Sequence, residues 1–278
     1  MRVSTLRLKA EVDFWLLDQD VQDPIVDAAK SWRKQADKVR KALSPVRDTD
    51  VYLDMLTRLR AAGGSAGNES HLTPNCSREI EKLESRLQEK RQAAEEELFV
   101  EIKKRQARLD RSSRRLQEDL GKRTEWTGND RVRVVRGLIA GLATDIPGLS
   151  AENMHEFRKR AKMARYLSEV AAKQDAHAAR QAALLKKMQN AAGKWHDWQT
   201  LAFKAEHILG TGEGDGLVKL LNTLAEDSLK NALELCRRVT AQLLNLSARR
   251  GVSAEELPPK KPVRRAEIEA IKGDKRYA

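Results

Sequence analysis

The chain has 278 residues, with 53 Lys and Arg against 41 Asp and Glu, for a net charge of +12 that favours an anionic partner without naming one. No run approaches the roughly 18 apolar residues that span a bilayer, and Met1 to Lys9 holds no apolar signal core, so neither membrane insertion nor secretion is expected. Cys76 and Cys236 lie too far apart to suggest a disulfide framework, which reads as a reduced, cytoplasmic protein.

Ala, Leu, Glu, Lys, Arg and Gln dominate and alternating β-branched runs are nearly absent, which predicts an all-helical protein. A first helix is expected from about Met1 to Leu17, with Val3, Leu6, Ala10, Phe14 and Leu17 at apolar spacing. Pro24 suits the first turn of a second helix, which Ser44-Pro45 ends near Leu43; a third runs from about Val46 to Arg60. The Gly-, Ser- and Asn-rich stretch from Ala61 to Pro74 is a loop. From Ser77 to about Leu120 the pattern gives one bent helix or two, with a coiled coil disfavoured because the apolar spacing lapses around Arg91 to Glu97. Gly128-Asn129-Asp130 and Asp145-Ile146-Pro147-Gly148 punctuate a crossover, and Ser150 to Asn153 supplies an N-terminal cap for a helix to about Lys173. Further helices are expected from about Asp175 to Ala192, from Trp195 to Leu209 after a turn at Gly193, and from Leu217 to Arg249. Gly210 to Gly216 is a flexible connector: its Gly-x-Gly has no preceding strand and no Lys, and carries Glu213 and Asp215, so it is no phosphate cradle. The Pro/Lys/Arg-rich end, residues 256–278, has little to bury and is expected to be disordered.

Within this frame, His155, Arg158, Lys162 and Arg165 recur at i, i+3, i+7 and i+10. On a helix they share a stripe about 80° wide, where their mutual repulsion gains the isolated helix nothing and a polyanion would reverse the sign. Arg158 and Arg165 offer forks that match phosphate oxygens, while Lys162 and the neighbouring Lys159 are point charges. The plain alternative is a solvated basic face paired with Glu152, Glu156 and Glu169. A repeat argues for the sharper reading. Arg2 over Arg158 places Lys9 over Arg165, Leu6 over Lys162 and Arg7 over Met163; downstream, Lys38 falls over Lys187 and Val46-Arg47-Asp48 over Trp195-His196-Asp197, at an offset of 149. The chain thus divides into halves of about 1–125 and 126–255, each one helical bundle with a basic ridge facing its counterpart.

Lys38, Arg47, Lys187 and His196 extend the basic surface, and Asp48 and Asp197 either orient neighbouring Arg and His side chains or cap helices. Nothing assembles a catalytic triad, an acid–base carboxylate pair or a metal site, since His155-Glu156 lacks the second histidine of a zinc-protease helix and no Cys-x-x-Cys occurs. No catalysis and no cofactor are expected. Trp15, Trp32, Trp126, Trp195 and Trp198 read as core anchors rather than base-stacking platforms, which disfavours nucleic acid.

In these residues the chain resembles the CHAD family of histidine-containing α-helical domains. His155 with basic residues at Arg158, Lys162 and Arg165 resembles the family's second-copy motif, and Pro45-Val46-Arg47-Asp48 and Gly193-Lys194-Trp195-His196-Asp197 resemble its hairpin motifs. The resemblance spans about residues 1–250 and implies two four-helix bundles related by a pseudo-twofold axis, with a central basic channel that binds inorganic polyphosphate, on polyphosphate granules, without catalysis. It implies polyphosphate contacts at Arg2, Arg7, Lys9, Lys38, Arg47, His155, Arg158, Lys159, Lys162, Arg165, Lys187 and His196. The first copy departs from the pattern at Leu6, and its histidine position falls ahead of Met1, so the second half is expected to contribute more. The alternative is a basic scaffold for nucleic acid or protein, using Ser77 to Leu120 and the tail.

Overall fold

The computed structural model describes residues 8–13, 16, 24–63, 73–121, 128–172, 175–210 and 215–248, and all regular structure among them is helical. Helix α1 comprises residues 8–13 and residue 16; α2 is Pro24–Gly63, α3 Pro74–Gly121, α4 Gly128–Asp145, α5 Met154–Ala171, α6 Ala176–Leu209 and α7 Asp215–Ala248, with a 3-10 turn at Ile146–Gly148 between α4 and α5. The basic tail and the N-terminal Arg2 and Arg7 lie outside the described residues. No helix among the described residues is long and apolar enough to cross a membrane.

Two long hairpins, α2 on α3 and α6 on α7, form the frame, and α4 and α5 pack on the second of them. The apolar side chains gather in two cores. The larger draws Val12 from α1, Trp32 and Ala36 from α2, Leu116 from α3, Ile139 from α4, Phe157 from α5, Leu185 and Trp195 from α6, and Cys236 from α7. The smaller joins the hairpin tips: Tyr52 and Leu56 of α2, Ile80, Leu83 and Leu87 of α3, Leu201 and Ala205 of α6, and Leu217 and Leu221 of α7. Between the cores lies a waist, where no residue is buried from 37 to 48 on α2 or from 88 to 111 on α3.

Two expected helix breaks do not exist. Pro45 lies inside α2, although it has no N–H to give the preceding turn, a defect of about 3 kcal/mol in a helix interior. Burial on both sides of it, Trp32 and Ala36 before and Tyr52 and Leu56 after, holds the helix continuous. Ser44 Oγ donates to the Arg40 carbonyl at 3.1 Å and Thr49 Oγ1 to the Pro45 carbonyl at 2.8 Å, two local side-chain bonds that flank the proline. Gly193 likewise sits within α6, between buried Ala192 and Trp195, since one glycine in a helix costs only about 1 kcal/mol. The charged stretch of α3 is one helix of 48 residues, and the crossover before α5 is itself a helix, α4.

Caps follow local chemistry. Thr73 Oγ1 accepts from Cys76 N at 3.2 Å to start α3, and Asp175 Oδ1 accepts from His177 N at 2.8 Å to start α6. Asn153 precedes α5 but does not cap it; its amide instead bridges back to Ser150 N and the Gly148 carbonyl. Gly210, at φ +81°, closes α6 in the left-handed region that favours glycine. Buried Glu79 of α3 reaches across the tips: its Oε2 accepts from Leu217 N in the first turn of α7 at 2.8 Å, and Asn75 holds Oε1 at 2.9 Å. A Cβ on Gly216 would approach Cys76 Sγ to 3.0 Å, so the two helices meet closely here. Cys76 and Cys236 are both free and buried.

Candidate functional site

Helix α5 buries Met154, Phe157, Ala161, Ala164 and Ser168, which fixes its rotation. The stripe of His155, Arg158, Lys162 and Arg165 then falls about 110° around the helix from the buried line, on the flank toward α6 rather than on an outward face. At its N-terminal end this flank meets the waist of the molecule, where α2 and α6 also come together. There Arg47, Asp48 and Tyr52 of α2 share a charged layer with His155 and Arg158 of α5 and His196 and Asp197 of α6. Trp195 anchors the layer in the larger core and Leu201 in the smaller.

The layer is partly desolvated, and this shifts the balance of its ionisable groups. The His155 and His196 rings stand 5.8 Å apart. His196 is pushed down to about 4 by burial and by the positive charges of Arg158, His155 and Arg47. His155, more open to solvent, is lowered by lost hydration and by Lys159 and Arg158. Even Arg158 is held below its ordinary range, first by burial and then by Arg47, against the pull of Asp197 and Asp48. Burial raises Asp197 despite Arg158 and Arg47 beside it, and burial with Asp48 and Asp197 raises the Tyr52 phenol. At neutral pH the layer therefore holds two guanidinium ions, two carboxylates and two uncharged imidazoles. An incoming anion would meet arginine forks and could recruit two further charges from the histidines.

The CHAD domain family model matches residues 1–203. This chain belongs to the CHAD family. No curated protein and no solved structure gives a significant match to it. The CHAD match takes in every residue of the charged layer and ends within α6.

The CHAD stripe and its companions do not all behave alike. Arg47, His155, Arg158 and His196, read from the sequence as anion contacts, come together in the layer. Arg165 is otherwise engaged: its side chain is only 12% exposed, and it donates to Glu169 Oε1 at 2.7 Å and to Gln189 Oε1 of α6 at 2.9 Å, clamping α5 to α6. Lys9 is similarly tied, to Asp13 at 3.0 Å and to Asp37 of α2 at 3.7 Å. Lys159 is exposed and pairs with Glu156 at 2.8 Å. Lys162 is half-buried one turn beyond Arg158. Lys38 and Lys187 each stand nine residues before the layer, about 13 Å along α2 and α6, so they flank it rather than join it.

Asp48 and Asp197 lie in helix interiors, which removes the capping reading. Asp48 Oδ1 accepts from Arg47 Nη1 at 3.1 Å and Asp197 attracts Arg158, so the carboxylates orient arginines. Two neighbours carried no motif. Tyr52 lines the layer one turn after Asp48, and Lys204 Nζ lies 5.7 Å over its ring. The spacing His196, Thr200, Lys204 at i, i+4 and i+8 was the available signal for Lys204. Among the described residues no group of three or more His, Cys, Asp and Glu side chains is placed to hold a metal ion.

Proposed function

We propose that this CHAD protein is a non-catalytic binder of inorganic polyphosphate, with the Arg47, His155, Arg158 and His196 layer at the waist as its central contact. One observation carries the reading: the Arg47 and Arg158 guanidinium groups, from two helices, and the protonatable rings of His155 and His196 are gathered, partly desolvated, at one place, where each positive charge disfavours the next until an anion is present. The two halves are read as pseudo-twofold partners. Arg47-Asp48 and His196-Asp197, 149 residues apart, meet at the layer, and the equally spaced pairs Tyr52 with Leu201 and Leu56 with Ala205 enter one core. A phosphate polymer would cross near this axis, with Lys38 and Lys187 along its path and Lys159 and Lys162 beside it. Cytoplasmic polyphosphate granules are the natural location for such a binder.

The test is long-chain polyphosphate binding by the double variant Arg47→Ala with Arg158→Ala. Loss of two charge-assisted contacts should weaken affinity by about tenfold or more and flatten its salt dependence. Unchanged affinity with an intact helical spectrum would remove the waist from the site. Nucleic acid at equal phosphate concentration is the competitor of choice, and efficient displacement of polyphosphate by it would favour a general polyanion scaffold.

A further inference from the structure

The middle of α3 presents apolar side chains that the two cores do not use. Phe99 is 69% exposed and Val100 66%, adjacent to each other on the outward side of the helix. Isolated exposed apolar residues are common on soluble proteins. This pair is distinguished by what surrounds it: the helix switches from acidic at Glu95, Glu96 and Glu97 to basic at Lys103, Lys104 and Arg105, with the apolar pair at the midpoint. Glu95 pairs with Arg91, and Glu101 with Lys104 and Arg105. Among the described residues Glu96 and Lys103, both exposed on the same outward face, have no ion-pair partner. Seven residues apart, about 10 Å along the axis, they cannot pair with each other in one chain.

We propose that this face of α3 binds a second copy of the chain, as an antiparallel helix pair about a twofold axis between Phe99 and Val100. Such an axis sets Glu96 against Lys103 of the other copy twice, and Phe99 against Val100 twice, so the central turns of this face are their own complement. The exposed Ala93 and Ala107 lie beyond the charged pairs and put no bulk in the way of close approach. A patch of this size predicts weak, salt-sensitive association.

Sedimentation velocity on the full chain, across a concentration series at low salt, should show mass moving from 31.4 kDa toward twice that value. The variants E96K and K103E each place like charges together and should stay monomeric alone. Mixed in equal amounts they should associate, and the double variant E96K with K103E should associate by itself. F99S should weaken association without changing helical content, because the side chain is outside both cores. A single-chain mass at every concentration, or singly reversed variants that associate as the parent does, would overturn the proposal.

Discussion

At the residue scale, the histidines decide how the waist answers to pH. His196 titrates near 4 and His155 below its ordinary value, so the folded bare protein binds fewer protons than the unfolded chain between those values and about 6.5. Stability should therefore fall as pH drops through this window, with Asp197, raised by burial, acting in the opposite sense at its acidic end. The charged groups that set this response are Arg47 and Asp48 on α2, Lys159, Glu156 and Arg158 on α5, with Glu156 opposing the two cations at His155, and Asp197 on α6. A bound polyphosphate would reverse the electrostatics and draw protons onto both rings. Polyphosphate should then bind more tightly at about pH 5.5 than at about pH 7.5. Paired titrations of the parent and of the variant with His155→Asn and His196→Asn check this: the parent should depend on pH and the variant should lose most of that dependence.

The same scale shows what a sequence can and cannot disclose about a charged site. The offset of 149 already paired Arg47-Asp48 with His196-Asp197, and these residues meet. Arg165 and Lys9 looked equally suited to phosphate, and each had a carboxylate four residues on, Glu169 and Asp13. Their second partners, Gln189 and Asp37, come from neighbouring helices, and no spacing along one helix reports that.

At the scale of elements, helix formation was plain from composition, and Pro24 and Gly210 marked true helix ends, while Pro45 and Gly193 suggested ends that do not exist. Pro45 and Gly193 are real local penalties, but each lies between buried turns of its own helix, and burial of several apolar side chains outweighs one missing hydrogen bond or one flexible residue. Glu79 gives the opposite lesson, a polar residue whose role is invisible locally because its partner lies 138 residues away at the start of α7. Truncating it would leave the buried Leu217 N–H without an acceptor, and Glu79→Ala should cost about 2 kcal/mol in chemical denaturation. Glu84→Ala on the same helix, which loses only the partly exposed pair with Arg60, serves as the control and should change stability little. Equal effects from both would exclude Glu79 as a staple between α3 and α7.

At the scale of the whole molecule, two apolar cores separated by a charged waist explain why a polar site can sit in the middle of a helical protein. The larger core holds α4 and α5 in place and so aims Arg158 at the layer; the smaller ties the hairpin tips so that α2 and α6 stay in register beneath it. The architecture was only half readable in advance. Composition announced an all-helical protein, but the two cores, each drawing on both hairpins, depend on contacts far apart in the chain.

One consequence concerns α3, which is anchored by Leu87 on one side and Leu116 on the other with nothing buried from 88 to 111. Helices ordinarily loosen from their ends, yet here the central turns are the least protected by packing. Amide deuterium uptake should accordingly run faster in the centre of α3 than near Leu83 or Leu116, an inverted profile in which the rod opens from within. Slowest uptake at the centre in dilute protein would contradict it.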